Sequence, residues 1–404
     1  MTDVLILSRR GSGGVEHLAE LVTGLGHRPV LVSERQPDLN AAHCAAHVVV
    51  DWTASVEEIV KHVVAQGIEP AGVLTMVDSF VGLQVNLARA HGFPAPSDRR
   101  AVLTNKAHVR AEIRALGVSD LEFVAGTAGT LPVAAVRRYP VIVKPAVESG
   151  ASWLVARADD EDELRLRLHR MVEAQGDDFE VIVEDYLDGT EFSIDGPVLD
   201  GRFTPLFPAE KAGHDEHRHH DAGLLINPPQ SASVCDAVEA TVKVINALAA
   251  ELRLHRMWLH VEGRALNSGG SELVEINTRP GGGVYRAAVL HACGIDPFWE
   301  CVQMTLDQKY VPDFRTIPRG DELFAILPLS VHQAGWMHTT TDPASWRSIE
   351  GVVTGYAHQD LEVTDLEREN FYAQLVLTAA DVPSLHRIAD QVRSVLHCSI
   401  SEDK

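Results

Sequence analysis

The sequence WLHVEGRALNSGGSELVEINTRPGGG, residues 258–283, decides the fold prediction for this chain. Apolar and polar side chains alternate on both sides of the tetrapeptide Asn-Ser-Gly-Gly, residues 267–270, which is typical of a tight turn. The stretch therefore predicts a β-hairpin whose two strands each present one polar face.

The register of this hairpin brings two carboxylates together. With the turn centred in the middle of the tetrapeptide, Glu262 falls opposite Glu275 and His260 opposite Asn277, all on one face. Facing side chains have Cβ atoms about 5 Å apart, so two carboxylates repel unless a cation neutralises them. Carboxylate and amide oxygens are hard ligands that leave room for water and phosphates, as Mg²⁺ requires. We predict a magnesium site of Glu262, Glu275 and Asn277.

The residues that follow the second strand are suited to an anion. Arg279 supplies a guanidinium fork for phosphate or carboxylate, and Gly281–Gly283 allow backbone N–H groups to approach an anion closely. The alternative for the whole pattern is a solvated acidic hairpin with a structural glycine turn.

Two lysines precede this hairpin. Lys144 ends an apolar strand predicted at 141–144 and is followed by a loop of small residues, 146–152, which includes Ser149 and Gly150. A lysine at a strand end before such a loop suits phosphates. Lys106 stands at the start of a helix predicted over 106–116, where a solvated role is the ordinary alternative.

A third segment, residues 181–191, is predicted as a strand that runs into a turn at Gly189. Such an edge offers backbone donors and acceptors to an adenine ring, and a carboxylate for ribose hydroxyls. Taken alone, it is an ordinary strand and turn.

Two further patterns favour a turn or loop over a specific binding motif. Gly11-Ser-Gly-Gly14 follows the first strand, but Glu16 stands where a dinucleotide-binding loop needs glycine, so a plain turn or a substrate-facing loop is favoured. The His-rich segment 214–221 lacks a pattern that would converge its side chains, so we expect a solvated loop near the active site rather than a zinc site.

Bulk properties limit the class of protein. With 404 residues, 45% hydrophobic and 23% charged, two or three packed units are expected. The five cysteines are scattered, as in reduced thiols of a cytoplasmic protein. The formal charge of −22 disfavours nucleic acid and anionic membranes as partners. No apolar run reaches the length of a membrane span.

The chain is predicted to combine α/β and α+β units. Short β-branched runs alternate with helices over residues 1–97 and indicate a parallel sheet. Paired strands and intervening helices occupy 98–300, and residues 301–404 form a small α+β tail. Helices are expected at 236–252 and 384–396.

The order and spacing of these motifs resemble the ATP-grasp superfamily, and within it the carboxylate–amine ligases that include L-amino acid ligases making dipeptides. The resemblance implies a Rossmann-like domain at 1–97, an ATP-grasp domain at 98–300 with a small lid subdomain at about 115–185, and a C-terminal domain at 301–404.

The resemblance also implies roles for individual residues. ATP is expected to contact Lys106, Lys144, Ser149, Gly150, Glu184, Tyr186, Leu187, Glu191 and Lys211, with Glu184, Tyr186 and Leu187 at adenine and Glu191 at ribose. Glu262, Glu275 and Asn277 would hold two Mg²⁺ ions, for which Mn²⁺ can substitute. The substrates would contact His260, Arg279, Gly282 and Arg286, and Arg279 and Lys144 would be catalytic. For Arg286, a structural salt bridge is an equal alternative.

The implied reaction joins a carboxylate to an amine through an acyl phosphate, with release of ADP and phosphate and with loops at 146–152 and 212–222 excluding water. The substrates would be amino acids, or an amino acid and a small carboxylic acid. Alternatives are a ligase that loads an amino acid on a CoA or carrier-protein thiol, a purine-biosynthesis ligase, and a non-catalytic nucleotide-binding regulator. A homodimer is the ordinary prior for assembly.

Overall fold

The computed structural model describes residues 2–9, 14–34, 37–93, 97, 99–147, 150–215, 220–314 and 320–401. Within these ranges the chain forms ten α-helices and twenty strands arranged in four sheets. The predicted combination of α/β and α+β structure is confirmed. No helix in the described ranges is long and apolar enough to cross a membrane.

The N-terminal segment forms a parallel four-stranded sheet. Its elements are β1 (Asp3–Leu7), α1 (Val15–Gly24), β2 (Arg28–Ser33), β3 (Ala46–Val49), α2 (Val56–Ala65), β4 (Pro70–Thr75) and α3 (Val81–Ala90). The strand order is β3-β2-β1-β4. Alternate residues of β1 enter two cores, Leu5 and Leu7 with α2 and α3, and Val4 and Ile6 with α1. The sheet therefore carries helices on both faces, as its continuous apolar strands require.

A helix and a small antiparallel sheet come next along the chain. The elements are α4 (Lys106–Ala115), β5 (Phe123–Thr127), β6 (Val141–Pro145), β7 (Ala156–Ala158), α5 (Glu161–Gln175) and β8 (Glu180–Asp185). The strand order is β5-β8-β6-β7. Asn105 caps α4, since its side chain accepts hydrogen bonds from the N–H groups of Ala107 and His108.

The remaining elements build a large sheet and a small one. They are β9 (Gly189–Leu199), β10 (Arg202–Phe203), β11 (Phe207–Asp215), β12 (His220–Asn227), α6 (Ala232–Glu251), β13 (Met257–Leu266), β14 (Ser271–Asn277), α7 (Tyr285–Cys293), α8 (Pro297–Leu306), β15 (Leu323–Ser330), β16 (Gly335–His338), α9 (Pro343–Arg347), β17 (Val352–Ala357), β18 (Asp360–Val363), β19 (Phe371–Ala379), α10 (Val382–Val395) and β20 (Ser399–Ser401). A nine-stranded sheet runs β14-β13-β9-β11-β12-β15-β19-β17, with β10 paired to β9, and β18-β16-β20 form a separate sheet.

The large sheet crosses residue 300, where the sequence predicts a domain limit. Strand β12 pairs with β15 through Leu225 opposite Ile326, so the tail of the chain extends the same sheet. One face of β9, β13 and β14 packs on α4 and α6, and the polar residues of these strands lie on the opposite face. The limits at 97 and 300 stay predictions.

Helix and strand positions agree with the expectations except at some ends. The helix expected at 236–252 begins four residues earlier, at Ala232, and the last helix begins at Val382 rather than 384. Both differences lie at N-termini, where an alanine or a proline in the first turn extends a helix without adding to the apolar pattern.

Candidate active site

The hairpin β13–β14 has the predicted register at the end away from its turn. Glu262 lies opposite Glu275, and His260 lies opposite Asn277. The turn itself differs from the prediction, because it pairs Ala265 with Ser271 and shifts the register there by one residue.

A bulge in β14 corrects this shift. The register changes between Glu262 and Gly263, which leaves Val274 as the extra residue. The turn is a three-residue loop, since the N–H of Leu266 donates to the carbonyl of Gly270 at 3.0 Å, and Gly269 there has a φ of +94°. Such loops need a residue at positive φ, which glycine adopts without strain. Loop and bulge together bring the two carboxylates face to face.

Each carboxylate has a cation beside it. Lys211 Nζ lies 2.9 Å from Glu262 Oε1, and Lys106 Nζ lies 3.1 Å from Glu275 Oε1. Burial alone would raise the pKa of Glu262, but Lys211 and His260 outweigh it and hold that pKa well below the ordinary 4.5. Glu262 is therefore an anion at neutral pH.

Lys211 joins several acids in a buried cluster. Its Nζ lies 2.6 Å from Glu191 Oε1 and 3.4 Å from Asp221 Oδ1, in addition to Glu262. Burial opposes the charged form, yet the surrounding carboxylates raise the pKa of Lys211 well above 10.5. Glu191 also accepts from Arg264 at 3.2 Å.

His260 is fixed by a carboxylate that the sequence analysis did not single out. Asp195, fully buried on β9, accepts hydrogen bonds from Trp258 Nε1 at 2.9 Å and from the N–H of Gly281 at 3.0 Å, and lies 2.6 Å from His260 Nδ1. Burial lowers the pKa of His260, but Asp195 outweighs it and raises that pKa to about 9. At neutral pH His260 is a cation beside Glu262.

Lys144 and Glu184 contact each other across β6 and β8, with Nζ 2.5 Å from Oε2. Arg110 on α4 donates from Nε to the other oxygen of Glu184. Burial would raise the pKa of Glu184, but Arg110 and Lys144 lower it to about 2. For Lys144, burial prevails over Glu184 and lowers its pKa from 10.5.

The segment predicted to contact adenine also contacts two arginine side chains. The carbonyl of Leu187 accepts from Arg264 Nη1 at 2.9 Å, and Arg157 lies over the ring of Tyr186 at 4.5 Å. The backbone at Leu187 is therefore held by Arg264, which also contacts Glu191, the residue predicted at ribose.

Two cavities meet at the glycine run. Cavity A, about 380 Å³, lies against the polar face of β9, β13 and β14, and cavity B, about 1060 Å³, opens toward the N-terminal segment. Gly150, Arg279, Gly282, Gly283 and Tyr356 line both.

Most of the predicted site residues line cavity A, namely Lys144, Gly150, Glu184, Tyr186, Leu187, Glu191, Lys211, His260, Glu262, Glu275, Asn277, Arg279 and Gly282. Lys106 joins them through Glu275, whereas Arg286 lines cavity B. Arg286 also forms a two-point ion pair with Asp296, at 3.0 and 2.6 Å.

Some predictions fall outside the described residues. These are Ser149, Gly11 to Gly13 of the first glycine-rich loop, and residues 216–219 of the His-rich segment. In the described part of the chain, no group of three or more His, Cys, Asp or Glu side chains converges as a metal site. The predicted magnesium site does not belong to this class, because only two of its three ligands are carboxylates and the third, Asn277, is an amide.

Sequence reasoning missed several residues of the site, namely Asp78, Arg110, Asp195, Asp221 and Glu369. For Asp195 a signal existed, because Glu191, Ser193 and Asp195 put three polar side chains on one face of an otherwise apolar strand. Asp78 and Glu369 reach the site only through tertiary packing, for which no local pattern exists.

Comparison with known proteins finds a family model and several enzymes that match part of this chain. Residues 137–287 match the model of the ATP-grasp domain family. D-alanine–D-alanine ligase from Stutzerimonas stutzeri is 31% identical over 193 residues, 47% of this chain and 52% of that protein. The enzyme of the same name from Ectopseudomonas mendocina is 28% identical over 194 residues, 47% of this chain and 53% of that protein. The matched region thus spans about half the length of these relatives.

Solved structures share the fold over the full chain. L-amino acid ligase from Bacillus licheniformis superposes with a TM-score of 0.82 at 18% identity and 99% coverage of both chains. Phosphoribosylglycinamide synthetase from Anaerococcus prevotii gives a TM-score of 0.69 at 14% identity, covering 99% of this chain and all of that one.

Proposed function

We propose that this chain, which carries an ATP-grasp domain, is an ATP- and Mg²⁺-dependent ligase that joins a carboxylate to an amine through an acyl phosphate. The observation that carries the proposal is the position of Arg279. It lines both cavities, directly after the strand that bears Glu275 and Asn277. A phosphoryl group transferred from a nucleotide in cavity A to a carboxylate in cavity B would pass this guanidinium.

The donor set in cavity A fits a divalent cation. Glu262 and Glu275 face each other, and Asn277 follows on the same face, so two anionic oxygens and one neutral oxygen are available. When bound, Mg²⁺ would neutralise charge on the β- and γ-phosphates of ATP.

The nucleotide would be held by the remaining residues of cavity A. Lys144 and Lys106 would contact the phosphates, the backbone at Tyr186 and Leu187 would contact adenine, and Glu191 would accept from the ribose hydroxyls. Arg110 and Lys144 keep Glu184 ionised, so this acid would stabilise the charged form of Lys144 rather than donate a proton.

In the proposed reaction, an oxygen of the substrate carboxylate attacks the γ-phosphorus and ADP leaves. The amine then attacks the acyl carbon, phosphate leaves, and the proton lost by the amine completes the balance. Arg279 steadies the transferred phosphoryl group. Holding both substrates in place contributes about 7–11 kcal/mol by removing the entropy of encounter.

The substrates are proposed to be amino acids, or an amino acid and a small carboxylic acid. Two relatives named above are ligases of alanine or of amino acids. Arg286 is held by Asp296 and by the ring of Phe298, 5.4 Å from its guanidinium, so it would present a fixed cation to a substrate carboxylate in cavity B.

The test is product analysis with pairs of amino acids, ATP and Mg²⁺. We expect ADP and phosphate in equal amounts with a new amide, whereas AMP and pyrophosphate would contradict the acyl-phosphate route. A pantetheine acceptor that outcompeted every amine would favour thiol loading instead.

The metal assignment is tested with Glu275→Gln. This change should lower kcat by about 100-fold at 1 mM Mg²⁺, with partial recovery at higher concentrations of the metal. The matched control is Glu239→Gln on the exposed side of α6, which should behave as the wild type. Full activity of Glu275→Gln would remove the metal site from the proposal.

A further inference from the structure

Thr278, the residue between the predicted metal ligand Asn277 and the predicted phosphate-binding Arg279, is held on one side by Asp78 of the N-terminal segment and on the other by Arg100. We propose that Asp78, assisted by Arg100, is a positioning residue that sets the direction of the Arg279 guanidinium. This inference rests on the proposed function, since it assigns a role within that reaction.

Asp78 contacts two consecutive residues after β14. Its Oδ1 accepts the backbone N–H of Thr278 at 3.0 Å, and its Oδ2 lies 2.7 Å from Arg279 Nε. Asp78 stands on a short 3₁₀ turn, Asp78–Phe80, that follows β4 of the N-terminal sheet. One carboxylate therefore fixes a backbone position and the side chain beside it.

Arg100 holds the opposite side of the same residue. Its Nη2 donates to the carbonyl of Thr278 at 2.7 Å, and its Nη1 donates to Gln84 Oε1 at 3.0 Å. Gln84 in turn donates from Nε2 to the carbonyl of Val73 at 2.8 Å. Burial lowers the pKa of Arg100 to about 10, so it remains a cation at neutral pH. The Thr278 peptide is thus tied to β4 and to α3.

These contacts decide which nitrogens of Arg279 face a ligand. Nε is taken by Asp78, and Nη1 donates to the carbonyl of Pro280 at 3.0 Å. In the described part of the chain, Nη2 has no hydrogen-bond partner, and the residue lines both cavities. A guanidinium held at Nε and at Nη1 presents Nη2 in a fixed direction, which suits a phosphoryl group between two cavities.

A purely structural role for Asp78 would change stability alone, and a direct substrate role would change KM alone. A positioning role predicts a third result, a loss of kcat that requires Arg279. Misplacement of a catalytic group by about 1 Å costs on the order of 100-fold in rate.

The test is a double-mutant cycle with Asp78→Asn and Arg279→Lys, measuring kcat, KM for each substrate, nucleotide affinity and thermal unfolding. Asn at 78 still accepts from the Thr278 N–H but cannot pair with the guanidinium. We expect kcat to fall about 10- to 100-fold in wild-type background and less than about threefold in the Arg279→Lys background. ADP affinity should change by less than about threefold.

A second variant, Arg100→Lys, tests the contact on the other side of Thr278. It replaces Asp78→Asn in the experiment if that variant does not fold. It should show the same dependence on Arg279. Asp51→Asn, an exposed aspartate of the N-terminal segment that holds Thr53, is the control and should keep wild-type kcat.

Equal losses in both backgrounds, or a rise only in the KM of an amino-acid substrate, would overturn the positioning role and leave the ligase proposal intact. A wild-type protein that releases no ADP with any substrate pair would instead overturn the proposed function itself.

Discussion

Lys211 Nζ lies 2.9 Å from Glu262 Oε1, so a buried ammonium on β11 neutralises one of the two facing carboxylates of the hairpin. The same ammonium contacts Glu191 and Asp221. Three carboxylates on three strands, β9, β12 and β13, therefore share one cation.

Lys211→Met should lower the free energy of unfolding at pH 7 by about 3–5 kcal/mol, because it leaves buried carboxylates without their cation. The pKa of Glu262 is lowered on folding, so its stabilising contribution is present above 4.5 and is lost as pH falls through the lower folded value. The gap between wild type and variant should therefore narrow at pH 4. Urea unfolding at both pH values measures it, and an unchanged gap would contradict the argument.

Glu191→Gln should raise KM for ATP about 10-fold, because the acceptor proposed for the ribose hydroxyls changes from charged to neutral. Steady-state kinetics with ATP and 2′-deoxy-ATP separate this cause from a general disturbance. 2′-Deoxy-ATP lacks one of the ribose hydroxyls that would donate to Glu191, so the substitution should change its KM less. The same increase for both nucleotides would place Glu191 away from the ribose.

Gly281→Ala should disturb the site, whereas the neighbouring Gly282→Ala should not disturb the fold. A Cβ at Gly281 would lie 2.5 Å from Tyr285 Cγ and 2.9 Å from His260 Nδ1, whereas a Cβ at Gly282 meets nothing within 4 Å. We expect the free energy of unfolding to fall by about 1–3 kcal/mol for Gly281→Ala and by less than about 0.5 kcal/mol for Gly282→Ala. Denaturant unfolding of the two variants in parallel tests this, and equal losses would contradict the packing described.

Glu369→Gln should stabilise the protein at alkaline pH. Burial and the nearby Asp221 raise the pKa of Glu369 from 4.5 to about 8, although the backbone N–H of Asp221 donates to it. Between these values the folded state binds more protons than the unfolded state, so stability falls as pH rises through this window. At pH 9 the free energy of unfolding of the variant should exceed that of wild type by about 3–5 kcal/mol, and near pH 4.5 the two should agree.

Thermal unfolding across pH 4.5–9 measures this difference. Glu367→Gln in the same loop is the control, since its side chain is exposed. A constant offset between Glu369→Gln and wild type would show that Glu369 does not titrate in this window.

The sequence was most informative where function and local periodicity coincide. Alternation in β13 and β14 was enough to predict that Glu262 faces Glu275 and that His260 faces Asn277. The three-residue turn and the compensating bulge at Val274 were not predicted, because both depend on backbone conformation that residue alternation does not encode.

Contacts between distant segments could not be predicted from the sequence. Glu184 was predicted at adenine, but its pairing with Arg110 depends on how α4 packs against β8. Likewise, Asp78 reaches Arg279 over 201 positions of the chain, and nothing within either segment signals the other. Such contacts follow from the docking of whole elements, which a single sequence does not specify locally.

The nine-stranded sheet has a consequence for cutting the chain. Strand β12 lies between β11 and β15, so a truncation near residue 300 would remove the neighbour of β12 and turn an interior strand into an open edge. Open edges with unpaired N–H and C=O groups favour aggregation. The central and C-terminal segments should accordingly melt as one cooperative unit in calorimetry, and fragments ending near residue 300 should be recovered as aggregates.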